Sequence, residues 1–141
     1  MAFLDWSDDY LIGIAAIDHD HKTLFRLVNR LHDRIKANDG EDAVGEALAG
    51  LVAYIGTHFA REERYMDDCG YPDLVRHAQA HRDLTDTVNS LKTLYEDDPG
   101  QFKNEMILDF LKNWLTRHIL KSDMEYRPYM TGAKKGRFMT D

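Results

Sequence analysis

Apolar residues recur at helical spacing along four segments of this chain, and strand-like alternation is almost absent. The first segment runs from about Asp18 to Ala37, with His21, Leu24, Phe25, Val28 and Ile35 on its inner stripe. Asp18 or Asp20 is placed to cap it, and Asn38 to Gly40 ends it. The second, about Glu41 to Asp67, keeps Val44, Leu48, Leu51, Ile55, His58 and Glu62 in phase. Gly70 to Pro72 forces a turn, and Pro72 suits the first turn of a third helix reaching about Tyr95, where Leu74, His77, His81, Leu84, Val88 and Leu91 align. After the break at Glu96 to Gly100, a fourth helix from about Phe102 to Lys121 turns Ile107, Leu108, Leu111, Trp114, Leu115 and His118 inward. Short connections make sequential helices antiparallel. The expected fold is therefore all-α: an up-down-up-down four-helix bundle in one domain over residues 1–141, with an extended N-terminal arm over 1–17 and a flexible tail over 131–141.

Seven polar residues interrupt the apolar stripes: His21, His58, Glu62, His77, His81, His118 and Asp123. His58 and Glu62, like His77 and His81, are four residues apart and project from one helical face, about 40° from each other. His118 and Asp123 are five apart, which an ideal helix would separate by about 140°, so a π-bulge or an early helix end must correct the phase. Each buried polar group left unpaired costs about 1–3 kcal/mol, and five imidazoles with two carboxylates would need many partners. A metal centre satisfies all of them together. Phase sets the other two histidines apart. His19 falls about 160° from His21, on the face of Lys22, Arg26 and Arg30, and His32 lies about 16 Å along the axis, at the far end of the bundle.

Composition narrows the setting. A chain of 141 residues that is 43% hydrophobic can bury an ordinary core. A net charge of −7, spread along all segments, repels nucleic acid and anionic membranes, and the one basic cluster, Lys134 to Arg137, reads as a frayed terminus. One cysteine, Cys69, excludes an intramolecular disulfide, and the acids near the N-terminus do not fit a signal peptide. No stretch reads as a membrane span. The expectation is a soluble cytoplasmic monomer with no nucleic-acid partner and no membrane insertion.

Trp6, the run Ile17 to Leu31, the run His58 to Met66, Gly70-Tyr71-Pro72, the run His77 to His81 and the run Trp114 to Tyr126 together resemble the hemerythrins, in particular single-domain bacterial ones, over nearly the whole chain. The resemblance implies two iron ions per chain, with His77, His81 and His118 on one and His21 and His58 on the other. Glu62 and Asp123 would bridge them together with an oxo or hydroxo group. Six ligands then surround the first iron and five the second, leaving one position for dioxygen, taken up reversibly for transport, storage or delivery to an oxygen-consuming enzyme. By the same match, Leu24, Phe59, Trp114, Leu115 and Ile119 would line the oxygen pocket.

None of these five is an acid or base, and a set rich in neutral imidazoles stabilises high iron oxidation states less than the carboxylate-rich sites of di-iron oxygenases. Carriage is expected, and enzymatic activity is not. The alternatives are an oxygen, redox or nitric-oxide sensor, or a di-iron enzyme of peroxidase or nitric-oxide reductase type. Of the remaining residues, Cys69 reads as inert, Gly56 as facing about 160° away from His58 and Glu63 as outward surface charge, while Tyr126 is placed to donate a hydrogen bond to a bridging carboxylate.

Overall fold

A computed structural model describes residues 2–38, 40–101 and 104–133. Among them there is no strand. A 3₁₀ turn at Asp8–Tyr10 precedes α1 (Ala15–Lys36), α2 (Glu41–Asp68) and α3 (Leu74–Asp97). A second 3₁₀ turn, Pro99–Gln101, leads to α4 (Asn104–Arg117), which runs without a break through a π-helical segment, His118–Asp123, into α5 (Met124–Met130). The long helices form a four-helix bundle: α1 packs on α2 and on α4, and α2 packs on α3 and on α5. The expected tail from Lys134, with its basic cluster, lies outside the described residues, as do Asp39 and Phe102.

Two boundaries differ from the expectation, for local reasons. The helix expected to begin near Asp18 begins at Ala15, after the N-cap Ile14, and so overlaps the stretch 1–17 expected as an arm. Neither aspartate caps it. The Asp18 carboxylate reaches back to accept from the amides of Ile12 (2.7 Å) and Gly13 (3.1 Å), and Asp20 is buried in the bundle. Gly13, at φ 94°, holds a conformation that only glycine adopts readily, which lets the chain fold back onto that carboxylate. The fourth helix was expected to stop near Lys121. The π segment takes up one extra residue per turn instead, and the chain stays helical to Met130.

The N-terminal residues are pinned to the bundle. Asn29 clasps Leu4 through both halves of its amide, accepting from the Leu4 N–H (2.8 Å) and donating to its carbonyl (2.9 Å). Lys112 Nζ donates to the Phe3 carbonyl (3.0 Å), while Trp6 and Tyr10 both stack edge-on or tilted around Phe25. His32, stacked on Phe3 at 4.5 Å, sits at this end, and His19 is exposed, as their phases predict.

Buried apolar residues fall into two clusters. One is the long core built on Leu24, Phe25, Val28, Leu48, Leu51, Ile55, Leu111 and Leu115; the other, smaller, holds Ile12, Ile17, Met66, Tyr71 and Tyr126. Along every contributing helix the polar residues lie between them: His21 between Ile17 and Leu24, Glu62 between Phe59 and Met66, Asp123 between Ile119 and Tyr126. The bundle thus carries a polar layer sandwiched by hydrocarbon. Contrary to the sequence expectation, one helix, α2, is long and apolar enough by length and composition to cross a membrane. Its apolar stripe, Val44, Leu48, Leu51 and Ile55, is nonetheless turned into the core, and the same helix carries the buried His58 and Glu62.

Asp18 is the one side chain holding two amides of the loop that covers the smaller cluster, and one of them is buried. Asp18→Ala leaves those donors without their acceptor and should cost about 1–3 kcal/mol, seen as a lower melting temperature with unchanged helical circular dichroism. A melting temperature equal to the parent's would mean that water replaces the carboxylate without loss.

A candidate metal centre

The polar layer brings together all seven residues that interrupt the apolar stripes. α1 supplies His21, α2 His58 and Glu62, α3 His77 and His81, and the π segment His118 and Asp123. His21, Glu62 and Asp123 are fully inaccessible, and His118 is the most exposed of the seven at 8%. The π turn is what places Asp123 opposite Glu62: five residues after His118, it re-enters the interior one turn on, so both ends of the segment face the layer.

The donor atoms form two overlapping groups whose members all lie within 4.8 Å of one another: Glu62, His77, His81, His118 and Asp123, and His21, His58, Glu62 and Asp123. The two carboxylates belong to both. His77 Nε2 stands 3.0 Å from Glu62 Oε1 and 3.2 Å from Asp123 Oδ1. His118 Nε2 is 3.0 Å from Asp123 Oδ1, and His81 Nε2 is 3.0 Å from Glu62 Oε1. On the other side, His58 Nε2 is 3.0 Å from Glu62 Oε2, and His21 Nε2 is 3.1 Å from Asp123 Oδ2. Glu62 thus turns one oxygen to three histidines and the other to the remaining pair, while Asp123 turns Oδ1 to His77 and His118 and Oδ2 to His21.

Hydrogen bonding does not account for all of these short distances. Both ring nitrogens of His21 and both oxygens of Asp123 are buried without a hydrogen bond, although Nε2 and Oδ2 are only 3.1 Å apart. His81 and His118 bring two Nε2 atoms to 3.2 Å. Ligands at about 2.1 Å from one first-row metal, at right angles, stand about 3 Å apart. Atoms in near contact but aimed past each other, with imidazole and carboxylate the only donor types, fit cations shared between the groups.

The electrostatics point the same way. Burial opposes charge on Glu62, Asp123, His21, His58, His77 and His118, yet each sign is held by the other. Against burial, the imidazoles of His58, His118 and His21 keep Glu62 well below the usual carboxylate range, and Asp123, despite burial and the nearby Glu62, is lowered by His118 and His21. Burial disfavours charge on the histidines too. Even so, Glu62 and Asp20 lift His58 to about 9, Asp123 and Glu62 lift His77 to about 9, and the same two carboxylates lift His118 to about 10. Protons and a metal cation compete for the same nitrogens.

Around this layer stand partners of unequal visibility in the sequence. Tyr126 is wholly buried and donates its hydroxyl to Glu62 Oε2 at 3.1 Å, in agreement with the expectation. Glu63, expected to be outward surface charge, instead brings Oε2 to 3.0 Å from His81 Nδ1 while remaining partly exposed. One residue's step along α2 is 100°, and a glutamate is long enough to bend round to the next helix. Asp20, expected as a cap, receives His58 Nδ1 at 3.1 Å, the Tyr54 hydroxyl at 2.7 Å and Arg61 Nη1 at 2.8 Å. The signal for it was available: Asp20 precedes His21 by one residue on a helix whose interior is apolar.

The five expected pocket residues all border the layer on its long-core side. Phe59 lies flat against the His81 ring at 3.7 Å and meets Trp114 edge-on at 6.0 Å, and Trp114 stacks on His118 at 5.6 Å. Leu24, Leu115 and Ile119 are each at most 1% exposed. A groove of about 730 Å³ between α3 and α4 runs along Leu84, Phe110, Trp114, Arg117 and Lys121 to the edge of His118. Cys69 is half-buried with its thiol raised by burial, and Gly56 is exposed with open space where a Cβ would stand.

Residues 12–130 match the family described as "Hemerythrin HHE cation binding domain". The chain is 33% identical over 125 residues to the bacteriohemerythrin of Clostridium acetobutylicum, covering 86% of this chain and 96% of the relative. Against the bacteriohemerythrin of Methylococcus capsulatus it is 30% identical over 132 residues, covering 93% and 99%. Among solved structures, a wild-type hemerythrin superposes with a TM-score of 0.84 at 30% identity, covering 92% of this chain and 99% of that one. An all-helical bundle whose interior layer gathers imidazoles and carboxylates into sites for non-haem iron, matched over nearly its full length by these relatives, places this chain in the hemerythrin family.

Proposed function

We propose that this protein binds dioxygen reversibly at a pair of iron ions held by the buried polar layer, for transport, storage or delivery. The observation that carries the reading is the pair of overlapping donor groups sharing Glu62 and Asp123. In it, His77, His81 and His118 would hold one ion and His21 and His58 the other, with Glu62 and Asp123 available to both. The bundle runs up-down-up-down, with the N-terminal residues as an arm across it. Iron bound there would supply the electrons for reversible binding of dioxygen.

The chain's own residues do the rest. Tyr126 fixes Glu62 through its hydroxyl, so the carboxylate keeps one orientation. Leu24, Phe59, Trp114, Leu115 and Ile119 form the wall on the oxygen side, and none can give or take a proton at neutral pH. Their hydrocarbon excludes water from the ligand position and withholds the general acid that bond cleavage would need, which favours carriage over oxygen activation. Anaerobic reduction followed by repeated oxygen addition and removal, followed by visible absorption, tests the function directly. Reversible spectra support it; steady oxygen consumption without recovery contradicts it.

Two irons per chain are expected by metal analysis after anaerobic loading, because seven ligands exceed what one ion accepts. One tightly bound zinc with no second metal would refute the pair.

The division of histidines, three against two, makes a graded series. Glu62→Ala and Asp123→Ala should each lower occupancy of both ions, whereas His21→Ala should first empty the two-histidine side and leave about one iron per chain. Equal retention of two irons in all three variants would contradict the shared carboxylates.

Leu115, one turn before His118 and 1% exposed, is a wall residue whose truncation opens space without removing a donor. Leu115→Ala should keep its iron, autoxidise faster at equal loading, and admit larger anions such as azide more readily. Autoxidation no faster than the parent's would make Leu115 a core residue only.

A further inference from the structure

Asp20 is a fully buried carboxylate that the function above does not use. Its Oδ2 faces His58 Nδ1 at 3.1 Å, and its Oδ1 accepts two hydrogen bonds, from the Tyr54 hydroxyl at 2.7 Å and from Arg61 Nη1 at 2.8 Å. The two oxygens have opposite duties. One pulls on the imidazole N–H of His58, while the other is pulled by a phenol and by a guanidinium whose side chain is 38% exposed. The sequence places them on two helices: Asp20 on α1, one residue before His21, and Tyr54, His58 and Arg61 on one side of α2.

A carboxylate accepting from Nδ1–H holds an imidazole in the tautomer that offers Nε2 to a metal, and lends the ring anionic character. Donors on the far oxygen draw charge away from that bond and weaken the effect. Of the five histidines of the layer, His58 and His81 have carboxylates on Nδ1, and among the described residues only the acceptor of His58 is itself held by a cation. His81 faces the partly exposed Glu63.

We propose that Asp20 is a positioning residue for His58 that sets the electron donation of the two-histidine side, and that Tyr54 and Arg61 moderate it from the surface. This rests on the assignment of His58 to that ion. Asp20 locks the His58 ring and raises its basicity; Tyr54 and Arg61 partly neutralise Asp20. The signs follow. Removing the acceptor makes His58 a poorer donor and stabilises the ferrous state, whereas removing either donor to Asp20 makes His58 a better donor and stabilises the ferric state.

The test uses the full chain loaded with iron, in the parent and in Asp20→Asn, Tyr54→Phe and Arg61→Ala. Metal content is measured first, then the midpoint potential, then the ¹⁵N shifts of the histidine rings in the zinc-loaded proteins. Asp20→Asn should weaken iron binding at the His21/His58 position by about 10- to 100-fold and move the potential positive. Tyr54→Phe, which changes no charge, and Arg61→Ala should keep their iron and move the potential negative. The His58 Nδ1–H signal should shift in the opposite sense in the two groups. A purely structural Asp20 would give one common direction, through loosened packing, in all variants. Shifts of the same sign, or none at retained iron content, would overturn the proposal while leaving the di-iron reading intact. A parent that takes up no second iron would overturn both. Should Asp20→Asn fail to fold, Tyr54→Phe alone decides, since an unshifted potential in it removes the moderating hydrogen bond from the argument.

Discussion

Two fully buried carboxylates, Glu62 and Asp123, face one another across the middle of a hydrocarbon bundle, and the rest of the structure is arranged around making that tolerable. An isolated ionised carboxylate in such an interior would neutralise itself by taking a proton. Here the two are surrounded between them by imidazole nitrogens at 3.0–3.4 Å, drawn from α1, α2, α3 and the π segment. Every helix is therefore tied to the same two groups. The layer sets the axial register of the bundle, because sliding any helix by a turn would strand a charged or polar side chain among leucines.

The same constraint accounts for the irregular backbone of the fourth helix. An α-helical path through His118 would carry residue 123 away from the interior by about 140°. The π segment costs hydrogen-bond quality locally, and the cost is offset by delivering Asp123 and Tyr126 to the layer. A π-bulge at a functional site has an identifiable cause here, which is the need for two donors on one side of the same helix.

Outside the donors, polarity is graded rather than abrupt. On the long-core side, Leu24, Phe59, Leu115 and Ile119 meet the layer with hydrocarbon alone, and on the other side Tyr126 and Tyr71 meet it with a hydroxyl and an aromatic edge. Two histidine rings are further held by carboxylates at the flanks, His58 by Asp20 and His81 by Glu63. Hydrocarbon thus meets the layer on one face and hydrogen-bonded support on the others.

The fold and the seven donors were legible in the order of residues, since a 3.6-residue period marks helices and a histidine or carboxylate within an apolar stripe is conspicuous. The five-residue gap between His118 and Asp123 called for either a π-bulge or an early helix end, and the structure decides for the π segment. What periodicity could not supply was the destination of side chains that leave their own stripe. Asp18 reads as a cap but reaches backwards to a loop whose path depends on Gly13; Asp20 reads as a cap but crosses to α2; Glu63 reads as surface but bends to α3. Phase along one helix fixes where a Cβ points, to within tens of degrees. Where a flexible carboxylate ends is decided by which donors the neighbouring helix presents, and that became determinate only once the polar layer had set the helices against each other.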